Sequence, residues 1–126
     1  METSAPSTSR FLVAEFLGTS FLLMAVVGSS LMAERLAPGQ EGLILLVNAL
    51  VTGFALWALI TVLGPVSGAM FNPAVSLALA SRGDLAWSFA VRSSVAQITG
   101  AIAGVGLAHL MFDMSLLTLS EKARHG

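Results

Sequence analysis

The sequence predicts an all-α membrane protein with three transmembrane helices and one re-entrant half-helix. Its composition indicates the membrane class: 56% of the 126 residues are apolar, 10% are charged, and the mean hydropathy is +0.86. A soluble domain needs more polar surface than this composition supplies. Long apolar runs indicate the spanning helices, and an apolar segment rich in Gly and Pro between two of them indicates the re-entrant part.

Three segments are long and apolar enough to cross a bilayer core, which takes about 20 helical residues. The first is 11–33, in which Glu15 is the one charged residue, and the second is 43–63, which has none. The third is 86–112, where we expect Arg92 to extend its charge toward the membrane surface. Together they predict a transmembrane repeat.

The predicted repeat covers residues 11–113, with a polar tail on each side. Residues 1–10 lack the basic, apolar and small-residue succession of a cleaved signal peptide, so we expect a short flexible tail. Residues 114–126 form the predicted C-terminal tail.

The apolar segment between the second and third spans cannot be an ordinary loop. Backbone without regular hydrogen bonds is not tolerated against lipid, so protein must cover this segment or water must line it. Its first residues permit a sharp extended path, namely Gly64, Pro65 and Gly68. Asn72 is a favoured helix N-cap, and Pro73 suits the first helical position. This pattern predicts a half-helix over 73–81.

Nine helical residues span roughly 14 Å, about half of a bilayer core. The N-cap Asn72 would then lie near the membrane midplane, where unsatisfied backbone amides carry a partial positive charge. Broken helices of this kind mark substrate sites in channels and transporters. The alternative is that Asn72 caps a short interfacial helix in a surface loop.

Three motifs carry a family resemblance: SGAMFNPAVS around Asn72, AEFLGT at 14–19 and AQITGAIAG at 96–104. In order and spacing they resemble one half of the aquaporin (major intrinsic protein) family, over nearly the whole chain. The resemblance implies a fold of two inverted repeats around a pore for water or small solutes, of which this chain supplies one. The Asn72 amide would donate to the passing molecule, while Pro73 and Ala74 would pack paired half-helices.

The resemblance also suggests which residues select the solute. Thr52 takes a second-helix position of the family's selectivity filter, and Val75 takes the place of its Arg in a homodimer. Further pore-lining candidates are Gly68, Ala69 and Met70. Met70 stands where the family commonly has His, so gating by that His is not carried over. We expect a wider, less polar constriction that passes glycerol, ammonia or similar solutes, although Thr52 could equally be a small packing residue.

The remaining candidates are structural. The resemblance implies that Glu15 accepts hydrogen bonds from re-entrant backbone amides, with Gln97 as a second support, and proton transport by Glu15 is the alternative. Close helix packing through small residues is predicted at four glycines: Gly18, Gly53, Gly100 and Gly104.

A single repeat cannot enclose a pore, so we expect it to require a second half. Three basic residues fall on each side of the membrane: Arg10, Arg82 and Arg92 against Arg35, Lys122 and Arg124. This tie gives no preferred orientation and suits a protein inserted both ways. The leading hypothesis is an antiparallel homodimer or a larger even-numbered oligomer. The alternatives are a separately encoded second half and a non-conducting remnant or structural partner.

The same composition argues against other functions. The net charge of -1 offers no basic stripe for nucleic acid, and the sequence has no cysteine. No carboxylate pair, His cluster or Ser/His/Asp set has catalytic spacing, so we expect no enzyme, cofactor or metal. The predicted location is the plasma (inner) membrane, as a multi-pass protein in contact with lipid.

Overall fold

The computed structural model describes residues 7–116 and contains four helices in that range, with no strand. They are α1 (Thr8–Leu36), α2 (Glu41–Ser67), α3 (Pro73–Ser81) and α4 (Trp87–Met111). The helices α1, α2 and α4 are long and apolar enough to cross a membrane. The prediction of an all-α membrane protein is confirmed. The outer parts of both predicted tails lie outside the described residues, as do Lys122 and Arg124.

The end of α2 differs from the expected path. The helix passes Leu63 and continues through Gly64 and Pro65 to Ser67, so Gly64 and Pro65 are helical and not extended. Proline has a fixed φ that suits a helix, and its missing N–H leaves only one carbonyl without a partner. Gly68 ends the helix, with a left-handed φ of 83° and an N–H that donates to the Gly64 carbonyl at 2.8 Å.

The two helices α1 and α4 lie side by side and in nearly direct backbone contact. A Cβ atom built on Gly100 would lie 2.4 Å from the Phe16 carbonyl oxygen, and one built on Gly104 would lie 2.1 Å from that of Ser20. Real Cβ atoms are not found this close to backbone oxygen. Only glycine at these two positions permits the approach, which is typical of helix packing in membranes.

The ends of α1 and α4 show that the two helices run parallel. Near their starts, the rings of Phe11 and Phe89 meet edge to face at 5.5 Å. Near their ends, the Arg35 guanidinium donates to the Phe112 carbonyl and lies 4.9 Å from the centre of the Phe112 ring. We call these the N-terminal end and the C-terminal end of the bundle. The chain leaves α3 at Arg82, close in sequence to the N-terminal end where α4 begins.

A polar contact inside the apolar region joins α2 to α1. The Asn48 side-chain nitrogen lies 2.8 Å from the Val26 carbonyl, 3.0 Å from the Ser29 hydroxyl and 2.8 Å from the Ser30 hydroxyl. An amide with several partners on the neighbouring helix resists sliding of α2 along α1. Sequence reasoning missed Asn48, although an Asn within an otherwise apolar span is a signal for such a contact.

Replacing Asn48 by Leu should lower the free energy of unfolding by about 1 kcal/mol, because interhelical hydrogen bonds in membranes typically contribute 0.6–2 kcal/mol. Unfolding of the purified chain in mixed detergent micelles measures this change. The matched control is Thr61→Val, since Thr61 is exposed on the same helix and donates only to the Trp57 carbonyl, at 2.7 Å. Equal stability of the two variants would contradict a role for Asn48 in holding α2.

Most of α2 has no neighbour within the described part of the chain. It packs on α1 alone, while α3 packs on α4. Gly53 was expected to make a close helix contact, but nothing lies within 4 Å of a Cβ built there. It lies on the exposed face of α2, so any packing partner for Gly53 must come from outside the described residues. Phe54 and Trp57, on either side of it, are each 71% exposed.

Candidate functional site

The connection between α2 and α3 has an unusual backbone. Gly68, Ala69 and Phe71 have positive φ angles of 83°, 53° and 48°. This left-handed region is open to glycine but costs other residues roughly 1–2 kcal/mol each. Backbone strain persists only where surrounding contacts impose it, and it is concentrated at functional sites. The contacts of the segment 68–72 are therefore the place to look for a site.

The carboxylate of Glu15 imposes this conformation. It is fully buried on α1. One carboxylate oxygen accepts the Met70 N–H at 3.2 Å, and the other accepts the Phe71 N–H at 2.8 Å. The second oxygen also accepts the Gln97 side-chain amide of α4 at 2.7 Å. Three donors converge on one acidic group, which satisfies the buried charge and two backbone amides at once.

A second set of hydrogen bonds fixes the half-helix itself. The Gln97 side-chain nitrogen also donates to the Ser76 hydroxyl at 2.9 Å, and both residues are fully buried. Glu15, Gln97 and Ser76 thus connect α1, α4 and α3 through one polar cluster. The serine also lies 3.5 Å from the Met70 sulfur. Sequence reasoning missed Ser76, whose place one turn after Asn72 gives no local signal of a contact with α4.

The ring of Phe71 anchors the segment to α1. Phe71 is 3% exposed, and a Cβ built on Gly18 would lie 2.0 Å from the nearest ring atom. Gly18 was expected to support close packing between helices, but the space that it leaves is filled by this ring of the re-entrant segment. The segment is therefore held by its backbone through Glu15 and by a side chain through Gly18.

Asn72 caps α3 with one half of its side-chain amide. Its backbone is extended, with φ at -150° and ψ at 124°, and its side-chain oxygen accepts the Ala74 N–H at 2.9 Å. Pro73 is the first residue of the helix. The side-chain nitrogen of Asn72 bonds to no residue among those described, and the residue is exposed. The cap therefore leaves two N–H donors pointing away from the helix and available to another molecule.

The other sequence candidates are spread around this point. Ala74 and Val75 are exposed on the first turn of α3, close to Asn72. Ala69 and Met70 are half-buried in the strained segment, and Gly68 is exposed. All of these belong to one contiguous stretch of chain.

Thr52 lies apart from this stretch, because α2 does not pack on α3. Its hydroxyl oxygen is buried and has no hydrogen-bond partner among residues 7–116. The exposed part of Thr52 is therefore apolar, although the residue type is polar. The described residues also contain no group of three or more acidic or His side chains placed to hold a metal ion.

Comparison with known proteins gives a consistent result. The major intrinsic protein family matches residues 2–125. Aquaglyceroporin AqpS of Rhizobium meliloti (strain 1021) is 50% identical over 118 residues, which cover 94% of this chain and 50% of that protein. Lens fiber major intrinsic protein of Gallus gallus is 39% identical over 106 residues, covering 84% of this chain and 38% of the relative.

Aquaporin NIP1-1 of Zea mays is 35% identical over 113 residues, which cover 89% of this chain and 38% of that protein. The chain spans half or less of the length of these three relatives. With the family match over nearly every residue and the capped half-helix in place, the chain belongs to the major intrinsic protein family.

Proposed function

We propose that this chain is one half of a passive membrane channel for water and small neutral solutes, completed by a second half in the inverted orientation. The observation that carries the proposal is the Asn72 side chain. Its oxygen is used by the helix cap, while its nitrogen remains a donor at the helix N-terminus. A neutral molecule that accepts hydrogen bonds can replace water there without bringing a charge.

The electrostatics of α3 support neutral solutes over cations. A helix N-terminus carries about half a positive charge on its free amides, and in a low-dielectric surrounding this charge is weakly screened. Two such termini facing each other would repel cations from both sides. The nearby acidic group, Glu15, cannot offset them as a free anion because its oxygens are occupied by three donors.

We assign the second half to a second copy of the same chain, in an antiparallel homodimer. The re-entrant segment has one wall within the described chain, made by α1 and α4. Its other side, with the exposed Ala74 and Val75, needs a cover, because irregular backbone is not stable against lipid. An inverted copy would bring its own Asn72 to the same depth.

The solute selectivity follows from Thr52 and Val75. The hydroxyl of Thr52 is turned away from the exposed surface, and Val75 offers a branched apolar side chain that is 42% exposed. A constriction made of these groups has no fixed cation and little polarity. The related protein from Rhizobium meliloti is named an aquaglyceroporin, which supports glycerol as a test solute beside water.

The test uses the purified chain alone in liposomes. Under water and glycerol gradients, stopped-flow light scattering should show faster volume changes than in protein-free vesicles. The variant Asn72→Leu removes both the cap and the donors, and should reduce both permeabilities at least tenfold. The variant Asn72→Asp keeps a capping oxygen but has no N–H donor, so its flux should also be low while α3 remains capped.

The control is Ser81→Ala at the far end of the same half-helix, where the hydroxyl donates only to the Ala78 carbonyl. It should conduct like the original chain. Full activity of Asn72→Leu would overturn the proposed role of Asn72. Flux only after addition of a different polypeptide would favour a separately encoded second half, and no flux under either condition would favour a non-conducting protein.

A further inference from the structure

The uncovered face of α2 has a shape suited to another helix. A cleft of about 450 Å³ opens on this face, lined by Ala49, Leu50, Gly53, Phe54 and Trp57. Gly53 forms the floor, with open space above its Cα, and two large aromatic side chains stand beside it. Small residues next to large ones allow two helices to approach and interdigitate, which is the main source of helix affinity in membranes.

The cleft lies at the middle of the helix. α2 runs from Glu41 to Ser67, so its midpoint is Phe54. If two copies are related by a two-fold axis in the membrane plane, the midpoints of the two α2 helices meet. The cleft of one copy would then face the cleft of the other at the same depth. Exposed residues at equal distances from Phe54, such as Leu46 and Val62, would come close to each other across the pair.

The two ends of the bundle carry opposite charge. Among the described residues, the N-terminal end has Arg10, Arg82, Asp84 and Arg92, a net charge of +2. The C-terminal end has Glu34, Arg35, Glu41 and Asp113, a net charge of -2. The charged residues of the sequence before Ser7 and after Leu116 change these values to +1 and -1, so the signs remain opposite.

This polarity distinguishes the two ways in which α2 faces can meet. A parallel pair places like charges together at both membrane surfaces, whereas an inverted pair places each basic end beside an acidic end. The Debye length is about 8 Å at physiological ionic strength, so neighbouring ends interact while distant ones do not. Apolar packing alone gives no such preference between the orientations.

We infer that the outer face of α2, centred on the cleft at Gly53, binds the same face of a second copy, and that the opposite end charges select the inverted orientation. This inference rests on the proposed homodimer and adds its contact surface and the cause of its orientation. The basic residues alone, which are tied between the two sides, do not carry this information. The acidic residues do.

Crosslinking tests the inference, since the chain has no cysteine of its own. Leu46→Cys and Val62→Cys are made in separate chains, purified in a nonionic detergent and mixed in equal amounts with a short bifunctional thiol reagent. An inverted pair joins position 46 to position 62 and gives a crosslink only in the mixture. A parallel pair joins like positions and gives crosslinks in each chain alone.

The charge variant is Glu34→Gln/Glu41→Gln/Asp113→Asn in both chains. It makes the C-terminal end basic and leaves the tally of Lys and Arg unchanged. At low salt the ratio of mixed to like crosslinks should fall at least threefold, and high salt should lower this ratio in the original chain. The matched control, Glu34→Asp/Glu41→Asp/Asp113→Glu, retains the charges and should retain the ratio.

The outcomes separate this inference from the proposed function. An unchanged ratio in the charge-neutralised variant would overturn the role of the end charges. Like crosslinks in each original chain alone would overturn the inverted contact at α2. If the chain conducts but gives no crosslink at these positions, the channel proposal stands and the α2 surface is wrong. Absence of both flux and crosslinks would count against the homodimer itself.

Discussion

Replacing Glu15 by Gln should lower the free energy of unfolding by about 3 kcal/mol and reduce the assembled fraction of the protein. The carboxylate accepts three donors in the structure. Glutamine keeps one acceptor oxygen, and its amide group would face donors that it cannot bond. A buried unsatisfied donor costs about 1–3 kcal/mol, and hydrogen bonds to a charged group are worth about 1.5–3 kcal/mol.

Unfolding in mixed micelles and native mass analysis measure these effects. The control is Thr19→Val, one turn further along α1, where a buried hydroxyl donates only to the Glu15 backbone carbonyl, at 2.7 Å. It should lose much less stability. In Glu15→Gln, the protein that still assembles should retain the original ratio of glycerol to water permeability. Intact assembly with altered conduction would instead favour a role for Glu15 in transport, the alternative to a structural role.

The largest loss of stability is expected for Gly104→Val. Even the first carbon of a side chain at this position would overlap the Ser20 carbonyl oxygen, at 2.1 Å. The contact is backbone to backbone, so no side chain can rotate away, and α1 and α4 must separate. We expect a loss of more than about 3 kcal/mol, in the range of severe core disruptions, and a chain that does not assemble.

A neighbouring glycine supplies the control. A Cβ at Gly106 would lie 3.5 Å from a Leu116 side-chain atom, an ordinary contact, so Gly106→Ala should fold and assemble normally. Both variants are compared by unfolding in mixed micelles and by yield of the assembled form. Near-original stability of Gly104→Val would mean that α1 and α4 are farther apart in the membrane than in this structure.

The parts of the fold that sequence predicts well depend on local chemistry. Apolar length alone indicates the spanning helices. The start of α3 is readable because an Asn cap and a Pro at the first helical position act within three consecutive residues, Asn72, Pro73 and Ala74. Pro65 misled the prediction of the end of α2, since a proline can be accommodated in a last helical turn that a following glycine terminates.

The contacts around the candidate site were harder to predict because they join distant parts of the chain. Ser76 meets Gln97, and Phe71 fills the space above Gly18. No pattern in the sequence specifies which partner each residue finds. Composition also did not reveal that the Thr52 hydroxyl has no partner, because side-chain rotation decides whether a helical threonine bonds to its own backbone.

The supports of the strained segment have one feature in common. Glu15, Gln97, Gly18 and Ser76 all belong to the same polypeptide as the residues that they hold. The geometry around Asn72 is thus preorganised during folding of the individual chain, before any encounter in the bilayer. Joining two such chains would be a rigid-body association with a small entropic penalty, and no refolding at the point where solute passes.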